Sequence, residues 1–437
     1  MRVRLTGLFG VAVLLFVVAL GGVLSTASLA AGTTASNGTQ YVEDATFIGN
    51  SVLPDGAIAE TPVNGSLAFI DPYQANYAAW GLAFAYASSG NAQYANEAWA
   101  WLHWYANHED PSLDYGVSRY LDASGTDIPV PPDSEDAYAG TFLLAADALY
   151  RATGNGAQLA SLQTGLTHAL RTIEDLYNPT CLLTEAGNFS GGAGMYTLDN
   201  AEAYGGLRSA VSMFDALGKN ADAAVAYTYA NDLEAGIAGQ GKNSLWNGST
   251  FAWAESPPSP ANPTVCPPSS SIPAKYYYPD NFAQIWPIVL GNFVSPSTPL
   301  VSSVEVQTIM STFMKDWPEW DNPGSLVLAE DSNPALPPGS LIYTPIASTA
   351  FAVAGQPVEQ QDGVDATRAY AESAGHAYPY TVADAGQALV ASLAYLGSVL
   401  APVGTLTGPL PAFLAPVTAP LGPVVAPLSQ LLSGGLL

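Results

Sequence analysis

The sequence predicts an all-α fold, an (α/α)6 toroid of helical hairpins with long loops and short strands gathered at one mouth. Three observations predict it. One helix-turn-helix grammar returns along the chain at intervals of roughly 60–80 residues. The first helix of each strong pair starts at an acid and is filled with alanine, glycine and aromatic residues. The two helices of a pair are joined by short Gly- and Asn-containing turns, which make them antiparallel neighbours. Units repeated in this way bury a continuous core only against one another.

Ahead of the repeats, Arg2 and Arg4 precede an uncharged run over 5–24 and a small-residue stretch ending at Ala30. That is the layout of a secretory signal peptide, and the run is also long enough to cross a bilayer. Residues 1–30 are therefore expected to be a signal peptide or membrane anchor, and 31–400 a toroid domain outside the cytoplasm. The first pair opens at Asp71-Pro72, where Asp71 caps and Pro72 suits the first helical position; it stops near Gly90-Asn91, and a second helix follows over 92–108. The second pair opens at Asp133-Ser134-Glu135-Asp136 and turns at Gly154-Asn155-Gly156 into a helix over 159–177. The third opens at Asp199-Asn200-Ala201-Glu202, with its partner after Gly218-Lys219-Asn220; the fourth opens at Asp280, with its partner over 301–317. Segments 346–354 and 358–373 make a weaker fifth pair. Segment 380–397 reads as the first helix of a sixth, with no clear twelfth helix to accompany it. The second helices carry more polar positions, so the first helices form the inner ring. Loops 109–132, 178–198, 245–278 and 320–345 then gather at one mouth, with short strands expected at 115–121 and 181–184. From Ala401 to the end the chain is uncharged, apolar and broken by prolines, which disfavours a continuous membrane helix; 401–437 is expected to be a separate tail, packed on the domain or associated with the envelope.

The chain carries 11 basic residues against 37 acids, a net charge of −26, yet charged residues make up only 11% of it, against about 25% in an ordinary protein. The imbalance comes from scarce bases more than from abundant acids, a composition suited to an acidic medium. With no basic stripe to neutralise phosphates, nucleic acid is excluded as a partner. Neutral or cationic glycans are compatible. The two cysteines, Cys181 and Cys266, are expected to pair in an oxidising compartment; without neighbouring histidines they supply no ordinary zinc shell. No metal or cofactor is expected, since no phosphate loop, dinucleotide fingerprint, zinc helix or nucleophile elbow occurs.

Cleaving a glycosidic bond needs a carboxylic acid to protonate the leaving oxygen and a second carboxylate to attack or to activate water. The helix starts offer Asp71, the cluster Asp133, Glu135 and Asp136, then Asp199 with Glu202, and Asp280. Asp136 or Glu135 is the expected general acid and Asp199 or Asp71 its partner, with Asp133 orienting the turn or touching sugar hydroxyls. Tyr73, Tyr77, Trp80, Tyr138, Tyr204 and Trp286 are candidate stacking platforms. Arg119 would hold an acidic sugar or pair with a nearby aspartate, and Asp55, in a Pro-Asp-Gly turn, would pass over the cavity or simply hold that turn. The competing account is that an aspartate at a helix start caps free amides, and that Asp199 with Glu202 has capping-box spacing.

The segments Leu53-Pro54-Asp55-Gly56-Ala57-Ile58, Asp71-Pro72-Tyr73-Gln74-Ala75-Asn76-Tyr77 and Asp133-Ser134-Glu135-Asp136-Ala137-Tyr138-Ala139 resemble those of the six-hairpin glycosidase superfamily over residues 41–397. The resemblance implies an exported glycoside hydrolase acting on an oligosaccharide or polysaccharide, by inversion as toroid glycosidases often do. The alternatives are a noncatalytic glycan-binding or cell-envelope protein, or a polysaccharide lyase. Envelope association would run through the N-terminal segment or the tail.

Overall fold

A computed structural model describes residues 41–63, 67–123, 126–187, 194–239, 243–267, 276–322, 325 and 343–400. The expectations for 1–30 and 401–437 lie outside the described residues. Among those described, no helix is long and apolar enough to cross a membrane.

Each hairpin forms for reasons visible in its own residues. Helix α1 spans 41–50. Strand β1 (Leu67–Ile70) runs directly into α2 (Pro72–Ser89), where the Asp71 carboxylate accepts from the Tyr73 N–H at 3.0 Å and Pro72 fills the first turn. The helix ends on Gly90 in the left-handed region, φ 69°, with its N–H on the Tyr86 carbonyl; only glycine adopts that conformation without penalty. Asn91 then caps α3 (Ala92–Asn107). Strands β2 (Arg119–Ala123) and β3 (Asp127–Val130) complete an antiparallel three-stranded sheet in the order β1-β2-β3, with Ile70 opposite Tyr120 and Arg119 opposite Val130. β3 leads into α4 (Glu135–Thr153), and α5 (Gly156–Ser161) with α6 (Gln163–Asp175) forms its outer partner. After the two-residue strands β4 (Tyr177–Asn178) and β5 (Leu183–Thr184), strand β6 (Met195–Tyr196) enters α7 (Thr197–Ala216), which pairs with α8 (Asn220–Ala238). β6 pairs with β7 (Ala254–Glu255).

The fourth inner element is not a plain helix. A short α9 (Phe282–Trp286) is flanked by wide π-type turns over Tyr277–Asn281 and Pro287–Phe293. Pro287 has no N–H to donate, which accounts for the loosened ladder around it. Its outer partner is α10 (Ser303–Asp316), opened by a Ser302/Glu305 capping box. The fifth pair is α11 (Thr344–Val353) and α12 (Pro357–Ser373); the sixth inner helix is α13 (Val382–Ser392), and α14 (Gly397–Leu400) follows.

The inner elements close into a ring in the order α2, α4, α7, the 287–293 segment, α11, α13 and back to α2. Closure depends on glycine: a methyl on Gly386 of α13 would overlap the Tyr77 carbonyl of α2, and one on Gly206 of α7 would overlap Gly140 of α4. The missing twelfth helix is α1. Its Asp44 accepts from the Tyr380 hydroxyl at 2.5 Å and senses the charge of Arg368 on α12, while its Gly49 lies against Glu97 of α3. It therefore fills the outer position between the fifth and first pairs, and six hairpins make an (α/α)6 toroid. Strands β1, β3 and β6 all feed the starts of inner helices, so the short sheets and long loops share one mouth. At the opposite end of the axis Trp80, Phe84, Leu144, Phe293 and Leu400 line a small apolar cavity. A Cys181–Cys266 disulfide, Cα–Cα 5.8 Å, ties the segment between β4 and β5 to the one after β7.

Candidate active site

The inner-helix starts bring Asp71, Tyr73 and Tyr77 of α2, Asp136 and Tyr138 of α4, and Asp199 and Glu202 of α7 into one group at the mouth. Sheet register supplies the first neighbour. Because Ile70 faces Tyr120, the next residue Asp71 falls opposite Arg119, whose charge pulls on the Asp71 carboxyl. Arg119 donates through Nε to the Pro131 carbonyl at 2.9 Å. Burial nevertheless pushes Asp71 up to about 6, helped by the charges of Glu60 and Asp133. Asp133 is exposed; its N–H lies 3.3 Å from the Tyr138 hydroxyl.

Ser134 stands at the capping position of α4, yet its side chain makes no cap bond. Its hydroxyl bridges two carboxylates instead, 2.9 Å from Asp136 Oδ1 and 2.6 Å from Asp199 Oδ2. One proton cannot satisfy both acceptors, so a second proton on the aspartate pair is favoured. Asp136 is fully buried and saturated, with the Ala137 N–H on Oδ1 and the Thr184 hydroxyl on Oδ2 at 2.7 Å. Burial pushes it up to about 6 against those bonds. Asp199 retains partial exposure; burial, then the charges of Asp136 and Glu202, raise it well above the usual carboxylate range. The capping-box spacing of Asp199 and Glu202 is not used as a cap. β6 runs straight into α7, the helix starts at Thr197, and both acids lie inside it on one face.

Glu202, like Asp136, has no solvent exposure. Its Oε1 accepts from the Tyr73 hydroxyl at 2.8 Å, the Tyr77 hydroxyl at 2.5 Å and the Trp286 indole N–H at 2.9 Å, while Oε2 is buried with no hydrogen-bond partner among the described residues. Burial pushes it up to about 7 despite three donors. Two tyrosines close the far side: Tyr278 and Tyr343 lie with ring centroids 5.4 Å apart, and Tyr343 packs edge-on to Trp286 at 5.3 Å. Tyr343 has φ 55°, a left-handed conformation uncommon for an aromatic residue and frequent at functional sites. Asp384, at the start of α13, accepts from Thr381 within a capping box; burial pushes it up to about 7, with Glu60 adding to the rise.

Four predicted residues are not brought to this group. Glu135 turns toward Gly116, Gly187 and Tyr105. Trp80 is buried against Phe84 and Phe293 at the end of the axis away from the mouth. Tyr204 is fully buried, donates to the Thr298 carbonyl and carries the Arg208 guanidinium over its ring. Asp55 braces its own turn, accepting from the Ala57 N–H and the Trp104 indole. Tyr278, Tyr343 and Asp384 join the site without having been assigned to it, and Glu202, offered with Asp199 as a helix-start acid but given no role, joins it as well. The three-residue step from Asp199 to Glu202 was the available signal for Glu202; the others come from loops and from hairpins with weak repeats.

No family model matches the chain, and no curated protein matches it by sequence. Solved structures do. A glycosidase aligns with a TM-score of 0.53 at 12% identity, over 83% of this chain and 96% of its own. An unsaturated glucuronyl hydrolase solved with the oligosaccharide dGlcA-Glc-Rha-Glc aligns at 0.55 and 13%, over 84% and 100%. A D-mannose isomerase aligns at 0.51 and 12%, over 84% and 98%. The chain shares with all three the (α/α)6 fold of helical hairpins.

Proposed function

We propose that the chain is an exported glycoside hydrolase, with Asp199 as general acid, Asp71 as the base that activates water, and inversion at the anomeric carbon. The observation that carries this is the Ser134 bridge. It holds Asp136 and Asp199 side by side, closer than the roughly 6.5–9.5 Å that an acid and a water-activating base require, so these two act as one unit and the second carboxylate comes from elsewhere. Within the unit, Asp136 is saturated and buried while Asp199 keeps solvent contact and a raised proton affinity, as a proton donor needs. Asp71, on the other side of α4 in the ring, also keeps solvent contact and has Arg119 to favour its ionised form. Asp199 protonates the glycosidic oxygen as the bond breaks; Asp71 takes a proton from the water attacking the opposite face. Glycosidases among the structures sharing the fold support a glycan as substrate, and the disulfide supports a compartment outside the cytoplasm.

The test is a hydrolysis screen over oligosaccharides with D199N and D71N, each checked for folding. Each substitution is expected to lower kcat by about 10²–10⁴-fold, with proton NMR showing the inverted anomer as first product. Unchanged turnover in folded D199N would falsify the assignment. The tyrosines around Glu202 are the observation favouring a lyase; an unsaturated, ultraviolet-absorbing product would select it.

A further inference from the structure

The two cysteines alone supply no ordinary zinc shell, but the fold brings a third donor to them. Glu255 lies on β7, opposite Met195 of β6, and is buried. There one of its carboxylate oxygens and the sulfurs of Cys181 and Cys266 all lie within 4.8 Å of one another. Among the described residues they are the one group of three sulfur, imidazole or carboxylate donors placed closely enough to share an ion. Both cysteines are buried as well, and Glu255 Oε2 has no hydrogen-bond partner among the described residues. A buried carboxylate oxygen left in that state costs free energy until a proton or a ligand meets it.

Bonds other than the disulfide hold the two cysteines in place. Asn243 donates to the Thr180 carbonyl at 3.1 Å and to the Thr264 carbonyl at 3.2 Å, and its Oδ1 accepts from the Cys266 N–H at 3.4 Å. The Cys181 N–H donates to Asn178 Oδ1 at 3.3 Å, and the Ser256 N–H to the Pro267 carbonyl at 3.0 Å. One side chain thus ties both cysteine segments together, and Pro267 ties the second of them to the strand that carries Glu255. With the cysteine Cα atoms 5.8 Å apart, breaking the S–S bond leaves two thiols and a carboxylate around one point.

We infer that Cys181, Cys266 and Glu255, with the disulfide reduced, bind a thiophilic divalent cation of the zinc class as three protein ligands, the fourth position being left to water. Zinc bonds to sulfur run near 2.3 Å and to carboxylate oxygen about 2.0–2.2 Å, so a tetrahedral ion spaces two sulfurs about 3.8 Å apart and sulfur from oxygen about 3.6 Å. Both spacings fall inside the 4.8 Å span of the three donors once the sulfurs separate. Two thiolates among three ligands select against magnesium and calcium, which take oxygen donors. The ion does in the reduced chain what the disulfide does in the oxidised one: it ties the segment between β4 and β5 to the one after β7. This clamp lies three residues from Thr184, whose hydroxyl donates to Asp136. The inference is independent of the glycan assignment.

The experiment uses the full-length chain reduced by a water-soluble phosphine, which breaks the S–S bond, leaves as its oxide with an oxygen from water, and delivers two protons to the sulfurs. Zinc then displaces those protons to the buffer. Alkylation and mass of an aliquot establish that both thiols are free, and circular dichroism follows the fold. Zinc affinity is read by competition with a chromophoric chelator; cobalt is the spectroscopic probe, because thiolate ligation gives it a charge-transfer band. The expected result is one zinc per reduced chain, and none on the oxidised chain or on the C181S/C266S double variant. E255Q is expected to weaken zinc binding at least about 10-fold, since loss of a group that merely orients a ligand already costs about 10–100-fold. Unchanged affinity in E255Q, or equal binding by the oxidised chain or the double variant, overturns the inference. If reduction alone unfolds the chain, zinc is expected to restore the fold, and failure to do so overturns the inference as well.

Discussion

Burial raises the proton affinity of Asp199 most, and two neighbouring side chains then act on it in opposite directions: the Asp136 carboxylate, when ionised, raises it by its charge, and the Ser134 hydroxyl, bridging the two aspartates, lowers it. Asp136→Asn removes that charge and keeps a similar shape, so the proton affinity of Asp199 should fall. The expected outcome is an alkaline limb of the pH–rate profile displaced to lower pH, with an acid limb set by Asp71 near its own value of about 6. A displacement to higher pH, measured on the folded variant, would contradict the arrangement. Asp71, Asp136 and Asp199 were legible in the sequence because helix starts are legible. The Ser134 bridge was not, since a serine ahead of a helix ordinarily caps it, and only the approach of α7 redirects its hydroxyl.

Among the elements, the inner helices are alanine- and glycine-rich because they pack backbone to backbone. Gly386 lies over Tyr77 and Ala78 of α2, where no methyl fits without moving a helix. Gly386→Ala should therefore destabilise by about 1–3 kcal/mol or more, read as a lower midpoint in denaturant at unchanged slope. It should also disturb the site, because Tyr77 donates to Glu202. The capped hairpins were readable in sequence: Asp71, Gly90, Asn91 and Gly154 punctuate as their chemistry requires. Two elements were harder to read. The segment around α9 reads as one helix, but Pro287 opens it into wide turns. Helix α1 is short, and its place in the ring is fixed by Tyr380, which meets its Asp44 and Phe47, and by Glu97, contacts that no local pattern reveals.

For the whole molecule, the notable property is how many buried carboxyl groups hold protons more tightly than usual. Burial pushes Asp44, Asp71 and Asp136 up to about 6, Glu202, Glu255 and Asp384 up to about 7, and Glu109, beside His168, up to about 9. Raised values mean that the folded chain binds more protons than the unfolded chain between about pH 4 and pH 7. Stability from these groups is fully present below the unfolded carboxylate values near 4 and is lost as pH rises through 6–7. Thermal unfolding followed from pH 4 to 8 should show the midpoint falling toward neutrality; a midpoint rising over that range would contradict this. The same direction agrees with the scarcity of bases in the composition and with an acidic working medium. Removing the disulfide by Cys181→Ser, at a sequence separation of 85, should cost about 2–5 kcal/mol, measured as a loss of midpoint that disappears when both proteins are compared under reducing conditions.

Helix α1 reaches Tyr380 across a separation of 336 residues. In a chain that emerges N-terminus first, the first described helix can meet α3 early, but its seat is complete only when the last hairpin arrives. Ring closure is thus a late, long-range event that must overcome a large loop entropy. Until then the alanine faces of the inner helices stay open, so a nascent chain remains threadable and exposed to aggregation until its final inner helix is made.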